Sequence, residues 1–334
     1  MAVSAHLTSI LRGYHIFFVI LTVYFADTMA ADCHPKFKRF PGHTACLDKS
    51  PLANSVGVNA SVKQQIVTMH NHLRAGVTPP ATNMLKMTWD DELAMLAQKW
   101  TDACSKESGR FHHDSVRDIP GRFPVGQNLM SGGDSFVVAI NAWYDEHKNY
   151  VFNRTVDHFG PVMIGHYTQL AWAETYKIGC GFTKCDGVPL YICNYAPLGN
   201  IFPYKRPYVD GTRCSKCQTC SDGGVCDCGT TECQNGGTLN TATCKCECKP
   251  FDFLAKSDCH INCTGGGKDT WYCGTDPNYL LSNCDAPFVS SACPFQCNLC
   301  PYVDPNYKGT APLMIGSWPQ ALVSAVFASV SLMV

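Results

Sequence analysis

Residues 177–196 read KIGCGFTKCDGVPLYICNYA, and this stretch decides the fold class. Apolar residues alternate on each side of Asp186-Gly187, and a D-G pair between alternating runs is a strong signal for a β-hairpin. With a two-residue turn, Cys180 lies directly opposite Cys193 in a non-hydrogen-bonded pair, where Cα atoms come within ~4.5 Å of each other. The stretch therefore predicts two antiparallel strands joined by a disulfide bond.

Three segments that precede the hairpin show helical spacing of apolar residues. Ser61 with Gln64 matches a capping box, and the apolar spacing behind it indicates a helix. Residues 91–104 and 135–150 show the same period. Helices followed by antiparallel strands predict an α+β domain over 61–206, with a helix–sheet–helix sandwich as the expected arrangement.

The cysteines indicate the compartment. The chain has 334 residues, a formal net charge of −1 and 22 Cys, of which sixteen fall in 214–300. So dense a set indicates a disulfide framework and excludes a cytosolic enzyme. Zinc binding by the C-x2-C-x2-C run at 214–220 is disfavoured, because secreted thiols oxidise. The near-neutral charge argues against a nucleic-acid partner, which would require a basic patch.

The N-terminus carries a predicted secretion signal. Arg12, the apolar run 16–25 and a small-residue site ending at Ala30 describe a signal peptide over 1–30. Ten apolar residues are too few to span a bilayer. Secretion is consistent with three N-glycosylation sequons, at Asn59, Asn153 and Asn262.

The C-terminus carries a second predicted processing signal. Residues 321–334 are apolar and uncharged, and they follow a spacer and the small residues 309–311. This pattern is typical of a GPI-attachment signal, here over 310–334. Ser317 is a rival attachment site, and a free tail on a secreted protein is the alternative. We therefore expect a secreted or GPI-anchored cell-surface protein.

Several motifs in order resemble the CAP superfamily, which comprises cysteine-rich secretory proteins, antigen-5 allergens and pathogenesis-related proteins. GHYTQLAW at 165–172 and YICNYAPLGN at 191–200 resemble the two family signatures. PPATNMLKM at 79–87 and the HNxxR motif that begins at His70 add to the resemblance, which covers 61–206. It implies a three-layer α-β-α sandwich and a cleft with two His and two acidic residues.

The resemblance places four residues in this cleft. His113, Glu146 and His166 match the family positions, whereas Gln127 stands where the family has Glu, so a carboxylate becomes a neutral amide. His112 is the fallback if the alignment slips by one residue. Two imidazoles beside a carboxylate could hold a divalent cation such as Zn²⁺ or Mg²⁺ weakly. The alternative is a polar cluster in which His and Glu satisfy each other.

The resemblance also bears on the core cysteines. With the hairpin cysteines paired, Cys185 remains for Cys104, and the pairing known in the family implies the same two bridges. A third family bridge is absent as a whole, because its two positions are Val125 and Ala196.

Small Cys-rich units flank the α+β domain. Residues 31–60 form a lead, 214–227 a hinge of open pairing, 228–259 a segment that resembles an EGF-like module, and 263–300 one that resembles an ShK-type toxin module. A generic knotted hinge is the alternative for 228–259. The half-cystines predicted outside the core are Cys33, Cys46, Cys228, Cys244, Cys233, Cys246, Cys248, Cys259, Cys263, Cys300, Cys273, Cys293, Cys284 and Cys297.

These features favour an extracellular binding protein for a small lipid or sterol, a divalent cation or a protein, rather than an enzyme. A secreted protease is one alternative, with Ser115 beside His113 as nucleophile, but the chain has no G-x-S-x-G elbow. A toxin-like channel modulator is another. Residues 285–292 contain Phe288 but lack the Lys that would enter a channel pore. Lipid carriage is implied by the resemblance alone.

Overall fold

The computed structural model describes residues 33–107, 109–154, 163–201 and 206–308. The predicted signal peptide and the predicted GPI-attachment signal both lie outside the described residues. Within these ranges, no helix combines the length and the apolar character that a membrane crossing requires.

The helices and strands alternate along the first two thirds of the chain, and short elements follow. The strands are β1 Ala53–Ser55, β2 Thr88–Trp89, β3 Lys106–Glu107, β4 Arg110–Phe111, β5 Gly126–Ser131, β6 Lys177–Cys185, β7 Val188–Ala196, β8 Thr238–Asn240 and β9 Lys245–Glu247. The α-helices are α1 Pro35–Lys38, α2 Ala60–Ala75, α3 Asp91–Ala103, α4 Phe136–Asp145, α5 Gly165–Leu170, α6 Pro287–Ala292 and α7 Cys300–Val303.

The predicted hairpin forms β6 and β7 and lies at the centre of a five-stranded sheet of order β1-β6-β7-β5, with β2 parallel to β6. Cys180 pairs with Cys193 in the predicted register, with Cα atoms 4.1 Å apart. Asp186 and Gly187 both have positive φ, 52° and 78°. Two consecutive residues of this kind make the turn whose twist matches the strands, which explains the D-G pair.

Helices cover both faces of the sheet, so the α-β-α arrangement is confirmed. On one face, Leu93 and Leu96 of α3 are fully buried, and α3 packs closely on β6 and β7. On the other face, Ile66 of α2 and Ile140 of α4 share a buried cluster with Tyr195 of β7. Successive residues of a strand point to opposite faces, so the hairpin contributes to both layers.

Two details of the predicted helices are wrong. The Asn59 side chain, not a capping box at Ser61, caps α2 by accepting a hydrogen bond of 2.9 Å from the Val62 N–H. The third helix ends at Asp145, and Glu146–Lys148 forms a 3₁₀ turn, so the helix stops five residues before the predicted end at residue 150. The chain leaves the helix where the Glu146 carboxylate turns towards α5, as described below.

All 22 cysteines are in disulfide bonds. Cys104 pairs with Cys185, with Cα atoms 5.5 Å apart. The hinge pairing that the sequence left open is Cys214–Cys220 and Cys217–Cys226, so the C-x2-C-x2-C run has no free thiolate for zinc. The remaining bridges are Cys33–Cys46, Cys228–Cys244, Cys233–Cys246, Cys248–Cys259, Cys263–Cys300, Cys273–Cys293 and Cys284–Cys297.

Noncovalent contacts hold the Cys-rich tail against the rest of the chain. Phe40 of the lead shares a buried cluster with Phe253 and Leu299 of the tail. The Tyr176 hydroxyl accepts a hydrogen bond of 2.8 Å from the Cys233 N–H. Buried aromatic and aliphatic contacts of this kind contribute roughly 25 cal/mol for each Å² of apolar surface that they remove from water.

Candidate functional site

The predicted cleft lies at the β5 edge of the sheet. Gln127 and Asn128 are consecutive on β5 and pair across the sheet with Asn194 and Cys193 of β7. Because neighbouring residues on a strand point to opposite faces, Gln127 faces the α3 side and Asn128 the opposite side. Each of the two amides therefore supports a different wall of the cleft.

Gln127 orients His113 on the first wall. Its side-chain Oε1 accepts hydrogen bonds from His113 Nδ1, at 2.9 Å, and from the Asp114 N–H, at 3.2 Å. Its Nε2 donates to Asn194 Oδ1 at 3.0 Å. Since the amide oxygen can only accept, the network assigns the proton to Nδ1 of His113 and leaves a lone pair on Nε2.

Glu146 orients His166 on the second wall. Its Oε1 accepts a hydrogen bond of 2.7 Å from His166 Nδ1, and its Oε2 accepts bonds of 2.8 and 3.1 Å from the N–H groups of His166 and Tyr167. The Trp143 ring stacks on the imidazole with centroids 6.2 Å apart. Asn128 Nδ2 donates to the His166 carbonyl at 3.0 Å. The ring is thus fixed by Glu146 and Trp143, and its backbone by Asn128, again with the proton on Nδ1.

The two imidazoles line one cavity of about 240 Å³, with ring centroids 6.4 Å apart. Neither Nε2 has a hydrogen-bond partner within the described ranges. His113 lies at the open edge of the cavity. Desolvation of its ring on the cavity side lowers its pKa, and the nearby charges of Arg117 and His166 act in the same direction. A lower pKa keeps this imidazole neutral, and therefore able to bind a cation, to lower pH.

The four cleft residues predicted from the sequence form two hydrogen-bonded pairs, His113 with Gln127 and His166 with Glu146, and do not act as four equal ligands. Gln127 and Glu146 bind the Nδ1 side of each ring, which leaves the two Nε2 atoms as the free donors. Within the described ranges, no group of three or more His, Cys, Asp and Glu side chains is arranged to hold a metal. The carboxylate and the amide act as orienting partners.

Two further residues that the sequence brought into question lie away from the cleft. His112 contacts Ser105 Oγ at 3.1 Å through Nε2 and meets Trp100 edge-on, so the fallback alignment is not needed. Ser115 lines a different cavity, together with Phe288 of the tail. The structure does not bring together the serine and the histidines that a hydrolytic mechanism would use.

Sequence reasoning missed the roles of Trp143 and Asn128. Trp143 falls within the predicted helix 135–150, and neither residue was singled out from the sequence. Polar residues at consecutive positions of 126–131 indicate side chains on both faces of the sheet, but only once this segment is known to be a strand. At the position of the missing family bridge, Val125 and Ala196 are buried in one apolar cluster. Apolar packing thus takes the place of the disulfide bond.

Comparisons with known proteins identify the family of the chain. The family described as "CAP: Cysteine-rich secretory protein family" matches residues 67–195. "Cysteine-rich venom protein Mr30" from Conus marmoreus is 34% identical over 291 residues, which cover 84% of this chain and 94% of the relative. Human "Cysteine-rich secretory protein 2" is 34% identical over 262 residues, covering 73% of this chain and 96% of the relative.

Solved structures give a weaker likeness. The crystal structure of Na-ASP-1 has a TM-score of 0.45 at 30% identity, over 52% of this chain and 49% of that chain. The crystal structure of NaASP2 with Zn²⁺ has a TM-score of 0.44 at 28% identity, over 52% of this chain and 98% of that chain. Since both scores are below 0.5, only the sequence relatives bear on the family.

Proposed function

The chain belongs to the cysteine-rich secretory protein family, and on that premise we propose that it is an extracellular binding protein whose cleft takes a divalent cation between His113 and His166. One observation supports the proposal: both imidazoles donate Nδ1–H to an oxygen and keep Nε2 free beside the same cavity. An oxygen partner on the far nitrogen fixes the ring and raises its basicity as a ligand.

The donor set fits zinc better than magnesium. Imidazole nitrogen suits Zn²⁺, whereas Mg²⁺ requires oxygen ligands in a near-octahedral arrangement. Two protein nitrogens leave the remaining zinc positions to water, so we expect weaker binding than at sites with three or four protein ligands. The neutral Gln127 weakens the site further, because it adds no negative charge behind His113.

The rings must approach each other before both can ligate one ion. With Zn–N bonds of about 2.0–2.1 Å in a tetrahedral arrangement, two ligating imidazoles have ring centroids roughly 5 Å apart. The observed separation is 6.4 Å. His113, at the open edge of the cleft and held by a single side-chain hydrogen bond, is the ring that we expect to move.

Calorimetric titration with zinc chloride at pH 7.5 tests this function. We expect weak binding that is lost in His166→Ala and kept in His112→Ala, a neighbouring histidine outside the cleft. Binding should weaken as the pH falls below the usual imidazole pKa of ~6.5, because protonated rings cannot ligate. Absence of zinc binding at pH 7.5, or equal binding in both variants, would show that the cleft is only a polar cluster.

Secretion is part of the same proposal. It is supported by relatives named secretory and venom proteins and by the complete oxidation of the cysteines. Asn59 and Asn153 are exposed, whereas Asn262 is half-buried and its sequon contains Cys263, which is bridged to Cys300. We expect glycans on the first two. Release of the protein from animal cells by a phosphatidylinositol-specific phospholipase C would demonstrate the GPI anchor, and intact Val334 in the medium would exclude it.

The Cys-rich units supply protein contacts in this proposal. Residues 228–259 and 263–300 each contain three disulfides that close within the unit. Units of this size with few helices and strands present mainly loops, and binding residues are concentrated on loops held by a rigid scaffold. We propose EGF-like and ShK-type modules here, as the sequence suggests.

A further inference from the structure

A second cavity, of about 200 Å³, lies where three parts of the chain meet. Its walls come from the segment 118–124 and from residues in 235–254 and 272–292. We call it the junction cavity. It shares no residue with the cleft of His113 and His166, so it is independent of the function proposed above.

Six aromatic side chains line the junction cavity. Its floor is buried: Phe123, Phe253 and Leu254 are 2%, 0% and 4% exposed. One wall is a continuous row of rings, in which neighbouring centroids are between 4.6 and 6.5 Å apart. These rings belong to Phe253, Phe251, Tyr272, Tyr279 and Phe288. Phe288, at the end of the row, is 59% exposed and marks the opening.

Three charged side chains reach the junction cavity, and two of them are engaged. Arg122 forms ion pairs with three carboxylates, and its guanidinium lies 4.8 Å from the centroid of the Phe123 ring on the cavity floor. Asp118 accepts a hydrogen bond of 2.8 Å from the Val125 N–H, and the charge of Arg117 lies nearby. The charge of Arg122 is therefore already compensated, and that of Asp118 is opposed by the nearby Arg117.

Lys249 is the third charge, and it has neither an ion pair nor a hydrogen bond from its ammonium group within the described ranges. Gly236 lines the cavity, and the Lys249 ammonium group lies beside it. A Cβ at Gly236 would be only 2.8 Å from Lys249 Nζ, so the ammonium group occupies the space that a side chain would fill. Lys249 is exposed, and its unpaired ammonium group lies at the rim of an aromatic cavity.

We propose that the junction cavity binds a small amphipathic monocarboxylate, with its apolar body among the aromatic rings and its carboxylate on Lys249. A cavity of about 150 Å³ lined by apolar side chains holds benzene, so the observed volume accommodates a phenyl ring with a short chain. Burial of the apolar body supplies the affinity, and the lone positive charge selects an anion over a neutral or cationic head.

Three probes with the same apolar body test the proposal: phenylpropanoate, phenylpropanol and phenylpropylamine. We would titrate each by calorimetry into the full-length protein secreted by animal cells. The carboxylate should bind about two- to five-fold more tightly than the alcohol, the range expected for one partly exposed ion pair, and the amine should bind most weakly.

Two variants and a control separate the parts of the site. Lys249→Met keeps the apolar stem, so the carboxylate should fall to the affinity of the alcohol. Phe288→Ala removes an exposed ring, and all three probes should weaken without a change in their order. Lys256→Met, an exposed lysine of the same unit outside the cavity, should change nothing. No binding of any probe, tightest binding of the amine, or an unchanged preference in Lys249→Met would overturn the proposal. None of these outcomes bears on zinc binding in the cleft.

Discussion

Arg74 is a buried cation that has no carboxylate partner among the residues that the structure describes. Its guanidinium is fully buried, and it donates hydrogen bonds to the backbone carbonyls of five residues. Two of these, Leu170 and Trp172, lie at and just beyond the end of α5, where helix carbonyls have no partner within the helix. Burial lowers the pKa of Arg74 to about 9. The side chain thereby ties α2 to the helix that begins with the cleft histidine.

His70, one helical turn before Arg74, is a buried neutral histidine. Its Nδ1 donates to the Ile66 carbonyl at 2.8 Å, and its Nε2 contacts the Tyr195 hydroxyl at 3.0 Å. Because the carbonyl can only accept, Nδ1 carries a proton, and in the neutral ring Nε2 accepts from the Tyr195 hydroxyl. Complete burial lowers the pKa of His70 to about 4.

We predict that acid destabilises the protein through His70. The unfolded chain takes up the proton near pH 6.5 and the folded chain only near pH 4, so this stabilisation is complete above pH 6.5 and is lost as the pH falls. Between pH 7 and pH 4.5 the loss from this one group should be about 2–3 kcal/mol. Chemical unfolding at both pH values should show a smaller loss for His70→Gln than for the wild-type chain. An equal loss of unfolding free energy in both proteins would mean that a group other than His70 causes the acid sensitivity.

Gln127→Glu should have opposite effects on binding and on stability. A carboxylate facing Nδ1 favours the charged imidazole, so the pKa of His113 should rise and zinc should bind more tightly. The variant also places an oxygen against Asn194 Oδ1, where Gln127 Nε2 now donates at 3.0 Å. Loss of this buried hydrogen bond should cost about 1–3 kcal/mol. NMR titration of His113 and chemical unfolding measure the two effects, and an unchanged stability would contradict the assigned amide orientation.

At the scale of elements, two glycines of β6 allow α3 to pack closely against the sheet. A Cβ on Gly179 would lie 2.1 Å from the Ala94 backbone nitrogen, and one on Gly181 would lie 2.4 Å from the Gln98 backbone nitrogen. The clashing atoms belong to the backbone of a helix, which cannot relieve the clash by changing rotamer as a side chain can. The helix therefore rests directly on the strand.

We predict that Gly179→Ala and Gly181→Ala each destabilise the protein by about 3 kcal/mol or more, at the upper end for added volume in a packed core. Gly223→Ala is the matched control, because its Cβ would meet only a side-chain oxygen at an ordinary 3.7 Å. Chemical unfolding with disulfides intact measures all three. If Gly179→Ala behaved like the control, α3 could not lie as close to β6 as described.

The hairpin and its neighbours show how far the sequence could predict these elements. The alternation of apolar residues and the D-G turn were sufficient to predict that Cys180 lies opposite Cys193, because both signals are local in the sequence. The strand at 126–131 was not predicted, because its burial depends on β7, which follows it by more than fifty residues. The glycines of β6 gave no local signal either. The resemblance to the family placed His113 and His166 in one cleft, which spacing alone could not do.

At the scale of the whole molecule, an ion network joins the α+β region to the Cys-rich tail. The Arg122 guanidinium binds Asp90 at 2.6 Å, Glu92 at 3.0 Å and Glu232 at 2.7 Å. Asp90 also caps α3 through its other oxygen. The network thus connects the start of a core helix with Glu232 in the unit 228–259.

Arg122→Ala should loosen the tail without unfolding the sheet. It leaves three carboxylates close together with less compensating charge, and breaking a partly buried network of this kind is strongly unfavourable. Hydrogen exchange at amides of 228–259 should accelerate by roughly tenfold or more, whereas β6 and β7 should exchange as before. Lys184→Ala, an exposed lysine of β6, serves as control. Unchanged exchange in the tail would mean that the apolar cluster around Phe253 suffices to hold it.

Every disulfide closes within its own segment of the chain: 33–46, 104–193, 214–226, 228–259 or 263–300. No disulfide bond links one of these segments to another, so only the peptide chain joins them covalently. A protease cut between Cys193 and Cys214 would therefore leave fragments that part in detergent without reductant. A cut between Cys104 and Cys180 would leave fragments that part only after reduction. Two gels, one with and one without reductant, therefore show whether the chain was cut between two segments or inside a segment that a disulfide bond closes. Because the disulfide bonds of each segment are internal, a segment can be replaced without changing how cysteines pair elsewhere in the chain.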